Sequence, residues 1–166
     1  MGMMNSAMIP ALQKVETAIE KSVKPEMQEA YQKIVTAGMK MAFSKEANGA
    51  IVEGLDKSKT PIKDIAIGAV GMLLLMHKQS KGTMPQDAMV PAGMTLVLHG
   101  LDYYGKTSKA PVGNNEVDEA TQIYMDALLP KLGITQDMLQ KTSSQVQGVM
   151  QNPEQMQKYK AHLEGK

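Results

Sequence analysis

The sequence predicts an all-α protein, a compact bundle of about six to seven helices around a central apolar helix at 61–81, with a polar C-terminal helical extension. Three observations predict this fold class. Apolar residues recur every three or four positions along most of the chain, which is the spacing of one helix face. No stretch shows the sustained apolar–polar alternation of a strand. Prolines and glycines stand where the helical patterns begin and end.

The first third of the chain predicts two helices. Apolar residues at positions 9, 12, 15, 19 and 23 lie on one face of a first helix over 9–23. Pro25 begins a second helix, whose apolar stripe reaches about residue 42. The stripe resumes at 51–55, so this helix continues there with a bend or break near 44–49.

The apolar helix at 61–81 has clear signals at both ends. At its start, Thr60 can act as a cap and Pro61 suits the first helical position. Asp64 in the first turn favours the positive end of the helix dipole. Basic residues follow at 77–81, and Gly82 suits the left-handed position that ends many helices. The stretch is therefore a complete helix.

Residues 65–76 are apolar on every side of that helix. A helix of this kind is either buried in a bundle or enters a membrane. Twelve residues make about 18 Å of helix, whereas a spanning helix needs about 20 apolar residues. Lys63, Asp64 and Lys78 flank the run. A buried core helix is favoured and membrane contact is disfavoured; conditional insertion during delivery or lysis remains the alternative.

Gly68 and Gly71 lie inside the apolar helix, where each costs about 1 kcal/mol in helix propensity against alanine. A close approach by a neighbouring helix would explain them. That helix belongs either to this bundle or to a second subunit. Together with Met72 and Leu75, these glycines are the candidate residues for helix–helix or subunit contact.

The middle of the chain predicts two further elements. Pro85 and Pro91 bracket a short element at 86–90. A longer helix runs from Pro91 to about Gly105, because proline is tolerated in a first helical turn.

Residues 106–115 predict a surface loop, since small, polar and turn-forming residues dominate them. Asn114 or Asn115 caps the next helix, whose first turn is acidic. Pro130 and Gly133 mark the end of that helix. Residues 1–135 therefore form the predicted bundle domain. Residues 136–166 are rich in Gln, Lys and Ser with a thin apolar stripe, which predicts a peripheral helical extension.

His99, Asp102 and Tyr103 are the polar residues most suited to chemistry. His99 and Asp102 are three residues apart and can share a helix face. They could act as a base with an orienting carboxylate, or as part of a metal site. A half-buried histidine bonded to a neighbour is the favoured interpretation, because His99 lies in an apolar helix. The sequence contains no metal-ligand spacing and no phosphate-binding loop, so we predict no catalytic residue, cofactor or metal.

The composition excludes several function classes. The chain has no cysteine, so it has no disulfide and no thiolate nucleophile. All 18 basic residues are lysine, and the chain has no arginine. Arginine is the residue that reads guanine or clamps phosphate, so its absence argues against sequence-specific nucleic acid binding. A net charge of +1 gives no broad attraction to nucleic acid. The sequence has sixteen methionines and few aromatic residues, so we expect methionine to take much of the core-filling role. Methionine is also common at adaptable binding surfaces, but core packing is the favoured interpretation for most of these residues.

A resemblance rests on a succession of segments. Residues 23–40 read Val-Lys-Pro-Glu-Met-Gln-Glu-Ala-Tyr-Gln-Lys-Ile-Val-Thr-Ala-Gly-Met-Lys, and the apolar glycine helix follows. Met84-Pro85 comes next, then Val90-Pro-Ala-Gly-Met94 ahead of a Leu-His-Gly-Leu-Asp helix. This succession resembles small helical structural proteins encoded by tailed bacteriophages, which tend to lie among virion assembly genes. The similarity spans about residues 20–135 and carries no catalytic residues with it.

The resemblance implies a virion component, either an internal or ejected protein or an accessory near the portal and tail. It implies contacts with other virion proteins and with copies of the chain itself, in the virion and, during assembly, in the bacterial cytoplasm. Two alternatives from other classes stay open: a cytoplasmic helical regulator that binds another protein, and a membrane-active delivery or lysis factor. We expect no enzyme activity.

Overall fold

The computed structural model describes residues 7–133, and within that range it confirms the all-α bundle. No strand occurs among these residues. Two short 3-10 helices lie at Pro25–Met27 and Leu129–Leu132. The six α-helices of this part of the chain are α1 (Pro10–Ser22), α2 (Gln28–Ala42), α3 (Lys45–Lys57), α4 (Pro61–Gln79), α5 (Gln86–Thr107) and α6 (Asn114–Leu128).

The break predicted near 44–49 is confirmed, and Ser44 makes it. Its hydroxyl accepts a hydrogen bond from the backbone N–H of Ala47 at 3.2 Å, which caps α3. The carbonyl of Ser44 accepts from the N–H of Asn48 at 2.9 Å, the first turn of the new helix. The apolar pattern continues across the break, but α2 and α3 are separate helices.

The ends of α4 follow the sequence signals, with two changes. Pro61 occupies the first turn, but the Thr60 side chain makes no capping hydrogen bond. Ser58 links the residue before the helix to its first turn: its hydroxyl accepts from the Thr60 N–H at 3.0 Å and donates to the Asp64 carboxylate. At the other end Lys81, not Gly82, takes the left-handed position that ends the helix, with φ +56° and its N–H donating to the Lys78 carbonyl at 3.0 Å. Gly82 follows with φ +75° and donates to the His77 carbonyl at 3.0 Å, so the predicted position is one residue too late.

Pro91 lies inside α5, so the prediction of two elements at 86–105 is wrong. A proline removes one backbone hydrogen bond and disfavours helix in the residue before it. Here the preceding turn is held by burial, because Ala88 and Met89 are completely inaccessible to solvent. Tertiary packing therefore joins the two predicted elements into one helix of 22 residues.

The start of α6 also differs from the prediction. Asn114 is already the first helical residue, and Gly113 precedes it. The N–H of Gly113 donates to the Glu116 carboxylate at 2.7 Å. The capping contact at this end is therefore made by Glu116, the third residue of the helix, and not by the predicted asparagine.

The core of residues 7–128 is built around α5. This helix packs against α1, α2, α4 and α6. It contributes nine buried residues, whereas α4 contributes five. The sequence places the apolar helix 61–81 at the centre, but α4 is buried along one face only. The largest fully buried side chains are those of Leu12, Leu73, Met89, Thr95, Val97, Leu98, Leu101, Tyr124 and Leu128.

Two buried tyrosines tie the helices together. The hydroxyl of Tyr31 on α2 is hydrogen-bonded to that of Thr95 on α5, at 2.7 Å. The Tyr124 hydroxyl on α6 donates to the Val90 carbonyl on α5 at 2.9 Å. Burial raises the pKa of both phenols above the ordinary value of 10.0, because the phenolate form is poorly solvated inside the bundle.

Close helix packing occurs at glycines of α5, not at those of α4. A Cβ on Gly93 would lie 2.0 Å from the Tyr124 hydroxyl oxygen and 2.2 Å from Leu73 Cδ1. A Cβ on Gly68 or Gly71 would meet nothing within 4 Å. No helix of the described part of the chain therefore makes the close approach that the sequence suggests at these two residues. Their alternative, a contact with a second subunit, stays a prediction.

The chain divides after Leu128 into two compact units, and residues 129–133 belong to the second. They form the 3-10 helix Leu129–Leu132 and end at Gly133, which has φ +76°. Helix α6 ends just before Pro130, as its turn signals predict. The predicted extension at 136–166 lies outside the described residues.

Candidate functional site

The three residues of the predicted polar cluster lie on α5 but have separate partners. His99 Nε2 lies 2.8 Å from Glu16 Oε1 on α1. Asp102 accepts the backbone N–H of Ile9 at 2.9 Å. The Tyr103 hydroxyl donates to Asn48 Oδ1 on α3 at 3.3 Å. Each of the three therefore ties α5 to another part of the bundle.

The distant hydrogen-bond partners of His99 and Asp102 could not be identified from the sequence. Glu16 lies 83 residues from His99, and nothing in the local pattern links the two. The same holds for Ile9, which is 93 residues from Asp102. Only the Asp102–Lys106 ion pair, at 2.8 Å, has a sequence signal, because the two residues are one helical turn apart.

The arrangement favours a structural role for His99 and Asp102. The Asp102 carboxylate is occupied by a backbone N–H on one oxygen and by Lys106 on the other. The carboxylate beside the His99 ring is that of Glu16 on α1, so His99 and Asp102 do not form the pair that their spacing suggests. Among residues 7–133, no group of three His, Asp or Glu side chains could hold a metal ion. That the whole chain lacks a catalytic or metal site stays a prediction.

The outer face of α4 is apolar and exposed. Ile67 and Leu75 retain 44% and 45% of their accessible surface. Gly68 and Gly71 lie between them on the same side and are exposed as well. Met72, at the edge of this side, is half-buried. Three of the four candidate contact residues from the sequence, Gly68, Gly71 and Leu75, thus lie together on one exposed surface. We call this surface the α4 face and define it by Asp64, Ile67, Gly68, Gly71, Leu75 and Lys78.

The opposite side of α4 is buried in the bundle. Ala66, Ala69, Val70, Leu73 and Met76 are buried on this side, against α5 and α6. Ile67 and Leu75, on the outer side of the helix, are not part of the described core.

A second apolar feature lies where α3 meets α2, α4 and α5. It is a groove of about 390 Å³, within the range of small-ligand and peptide sites. Its apolar lining includes Met39, Ile65, Ala69, Met72 and Leu96. Polar groups at its edge are Asn48, Asp64, His99 and Tyr103. The groove therefore joins the predicted polar cluster to one edge of the α4 face.

Helix α3 forms one wall of this groove and is loosely attached. None of its thirteen residues is buried. Ile51 on α3 and Phe43 just before it remain 36% and 38% exposed. Phe43 makes an edge-to-face contact with Tyr103, with ring centroids 5.7 Å apart. A helix held by so few buried contacts can move at low cost in free energy.

Comparison with models of known protein families, with curated proteins and with solved structures found no match. Among residues 7–133, no helix combines the length and the apolar character needed to cross a membrane.

Proposed function

We propose that this protein acts through protein–protein contacts, as a structural or assembly component of a tailed-phage virion. The proposal that it acts through protein–protein contacts rests on its exposed apolar surface. Four large apolar side chains, those of Phe43, Ile51, Ile67 and Leu75, are each more than a third exposed. Phe43 and Ile51 line the groove beside α3, and Ile67 and Leu75 lie on the α4 face. Exposed apolar patches of this kind are typical of sites where other proteins bind.

The phage assignment is supported by the resemblance of residues 20–135 to small helical virion proteins. An internal or ejected protein, or an accessory near the portal and tail, fits a small helical bundle with an uncovered apolar face. In such a particle the chain would contact other virion proteins and copies of itself. This role requires no catalytic residue and no cofactor.

A second candidate function is a cytoplasmic regulator, and the groove beside α3 favours it. An amphipathic helix of a partner could lay its apolar side into a groove of this kind, a common form of peptide recognition. The half-buried methionines of the lining, Met39 and Met72, can adapt to different partners. Such a regulator would bind one host protein and would not be part of the particle.

Mass spectrometry of purified particles tests the proposal. A virion component should be present at a copy number that matches the symmetry of a ring or shell. Its absence from particles that contain their portal and tail proteins would overturn the virion role. Recovery of one host protein with the tagged chain, at a fixed ratio, would then support the regulator.

The third function class, a membrane-active factor, has its own assay. Leakage of dye from vesicles of bacterial lipids should be absent for a protein that acts through protein contacts. Leakage that is lost in the variant Leu75→Asp, at unchanged helicity, would instead support membrane activity of the α4 face.

A further inference from the structure

The α4 face has a symmetry that identifies its partner. Positions 64, 71 and 78 are seven residues apart, and seven residues fall only about 20° short of two helical turns. Asp64, Gly71 and Lys78 therefore lie in one row along the exposed side of α4, and all three are exposed. Ile67 and Leu75 lie four residues before and after Gly71, beside the same row.

The charges of this row would match those of a second copy that runs in the opposite direction. Asp64 lies seven residues before Gly71, and Lys78 lies seven residues after it. The two large apolar residues, Ile67 and Leu75, are likewise equidistant from Gly71. We propose that a second copy of this chain binds here, with the two α4 helices antiparallel and a two-fold axis passing at Gly71. This inference rests on the proposed function, since it names one of the protein contacts.

Charge decides between the two directions of pairing. In the antiparallel pair, Asp64 lies level with Lys78 of the partner subunit, and the two-fold axis makes this ion pair twice. In a parallel pair in register, each Asp64 would face a second aspartate and each Lys78 a second lysine. Among residues 7–133, Lys78 has no ion-pair partner. In the same part of the chain, Asp64 accepts a hydrogen bond from Ser58 on one carboxylate oxygen and forms no ion pair.

Space on the α4 face also suits a second helix. Nothing lies within 4 Å of a Cβ placed on Gly68 or Gly71, so a neighbouring backbone could approach closely there. Ile67 and Leu75 would then pack against Leu75 and Ile67 of the other copy. The contact explains why glycine occupies two positions of an exposed helix face where alanine would favour the helix.

The expected association is weak. One pair of 19-residue helices covers less than the roughly 800 Å² per partner of a typical stable interface. We expect a dimer with a dissociation constant of roughly 1–100 µM. Sedimentation equilibrium of the full chain over about 1–500 µM should show a monomer–dimer transition in this range.

Substitutions separate the α4 face from the rest of the apolar surface. Leu75→Lys should abolish the dimer, because it places a lysine where two large apolar side chains would pack. Ile51→Lys is the matched control, since Ile51 is a similarly exposed apolar residue on α3, outside the α4 face. That variant should associate like the natural protein. Equal loss of the dimer in both variants, or no dimer at any concentration, would overturn the proposal.

Charge reversal tests the direction of pairing. Asp64→Lys and Lys78→Asp should each weaken the dimer about ten-fold, because attraction becomes repulsion at two symmetric pairs. The double variant Asp64→Lys/Lys78→Asp should recover it, although each change opposes the α4 helix dipole. In a parallel dimer the single changes only replace one like-charge pair by another. Unchanged affinity of both single variants would therefore overturn the antiparallel arrangement.

A cysteine gives an independent readout, since the chain has none of its own. Oxidised Gly71→Cys should form a covalent dimer, because the two-fold axis brings the two copies of this position together. Gly49→Cys, an exposed glycine position on α3, is the control and should remain monomeric. Equal cross-linking of the two variants would contradict the proposal. If the purified protein forms the dimer but is absent from virus particles, only the virion role is overturned.

Discussion

The packing at Gly93 gives the sharpest test of the fold. In the variant Gly93→Ala the new methyl group would lie 2.0 Å from the Tyr124 hydroxyl oxygen and 2.2 Å from Leu73 Cδ1. Neither side chain can move into solvent, since both have no accessible surface. Either α5 must move away from α4 and α6, or the Tyr124 hydroxyl must leave the Val90 carbonyl.

The expected cost follows from these contacts. Overpacking a close-packed core costs about 1–3 kcal/mol. Displacing the buried Tyr124 hydroxyl from its acceptor at 2.9 Å costs about 1–3 kcal/mol more. Alanine returns about 1 kcal/mol through its better helix propensity. We expect Gly93→Ala to lower the free energy of unfolding by about 3 kcal/mol. For a chain of this length the midpoint of thermal unfolding should fall by roughly 6–12 °C.

Urea and thermal unfolding followed by circular dichroism measure this effect. Gly68→Ala is the matched control: the same change in a helix, at a position with nothing within 4 Å. It should be neutral or stabilising by up to about 1 kcal/mol. Both are compared at several protein concentrations, because association would add to the apparent stability.

The Tyr124→Phe background identifies the clash directly. It removes the oxygen closest to the new methyl group, so Gly93→Ala should cost about 1 kcal/mol less there. Gly93→Ala as stable as Gly68→Ala would refute the close contact of α5 with α6. An unchanged cost in the Tyr124→Phe background would show that the tyrosine does not limit the packing.

Three further predictions concern the core and α3. Tyr31→Phe should destabilise the fold by about 1–2 kcal/mol in urea unfolding, and adding Thr95→Val should recover part of this loss, because it removes the unpaired hydroxyl. The raised pKa of Tyr124 means that the unfolded chain loses this proton first. The contribution of Tyr124 to the free energy of unfolding is therefore fully present below pH 10 and falls above it, by up to about 1.4 kcal/mol per pH unit. The variant Tyr124→Phe should show a shallower fall, and an equal slope in both proteins would contradict the burial of Tyr124. Amides of α3 should exchange with deuterium faster than those of α5, because α3 buries no residue; similar protection in both helices would refute its loose attachment.

The sequence predicts helices well here because their signals are local. Ser44 and Pro61 act on neighbouring backbone groups, and the structure finds each at the start of a helix. The errors occur where packing overrides a local preference. Pro91 stays inside α5 because the turn before it is buried, a property that no local pattern contains.

The candidate site shows the same division. The sequence selects Gly68, Gly71, Met72 and Leu75, and the structure finds the glycines and Leu75 exposed on one face, with Met72 at its edge. It also selects His99, but the partner of His99 is Glu16, 83 residues away. Contacts across such separations depend on how the helices pack, which helical period and capping residues do not define.

The sequence by itself determined the fold class, most helix ends and the all-round apolar character of residues 65–76. These properties arise from hydrogen bonds and side chains within a few residues of one another. Only the tertiary structure decided which side of α4 is buried. Helix α4 packs on α5 and α6, where Gly93 allows α5 to lie close to Leu73 of α4 and Tyr124 of α6, so Gly71 faces outward. An apolar helix can bury any of its sides, and the shape of its neighbours makes the choice.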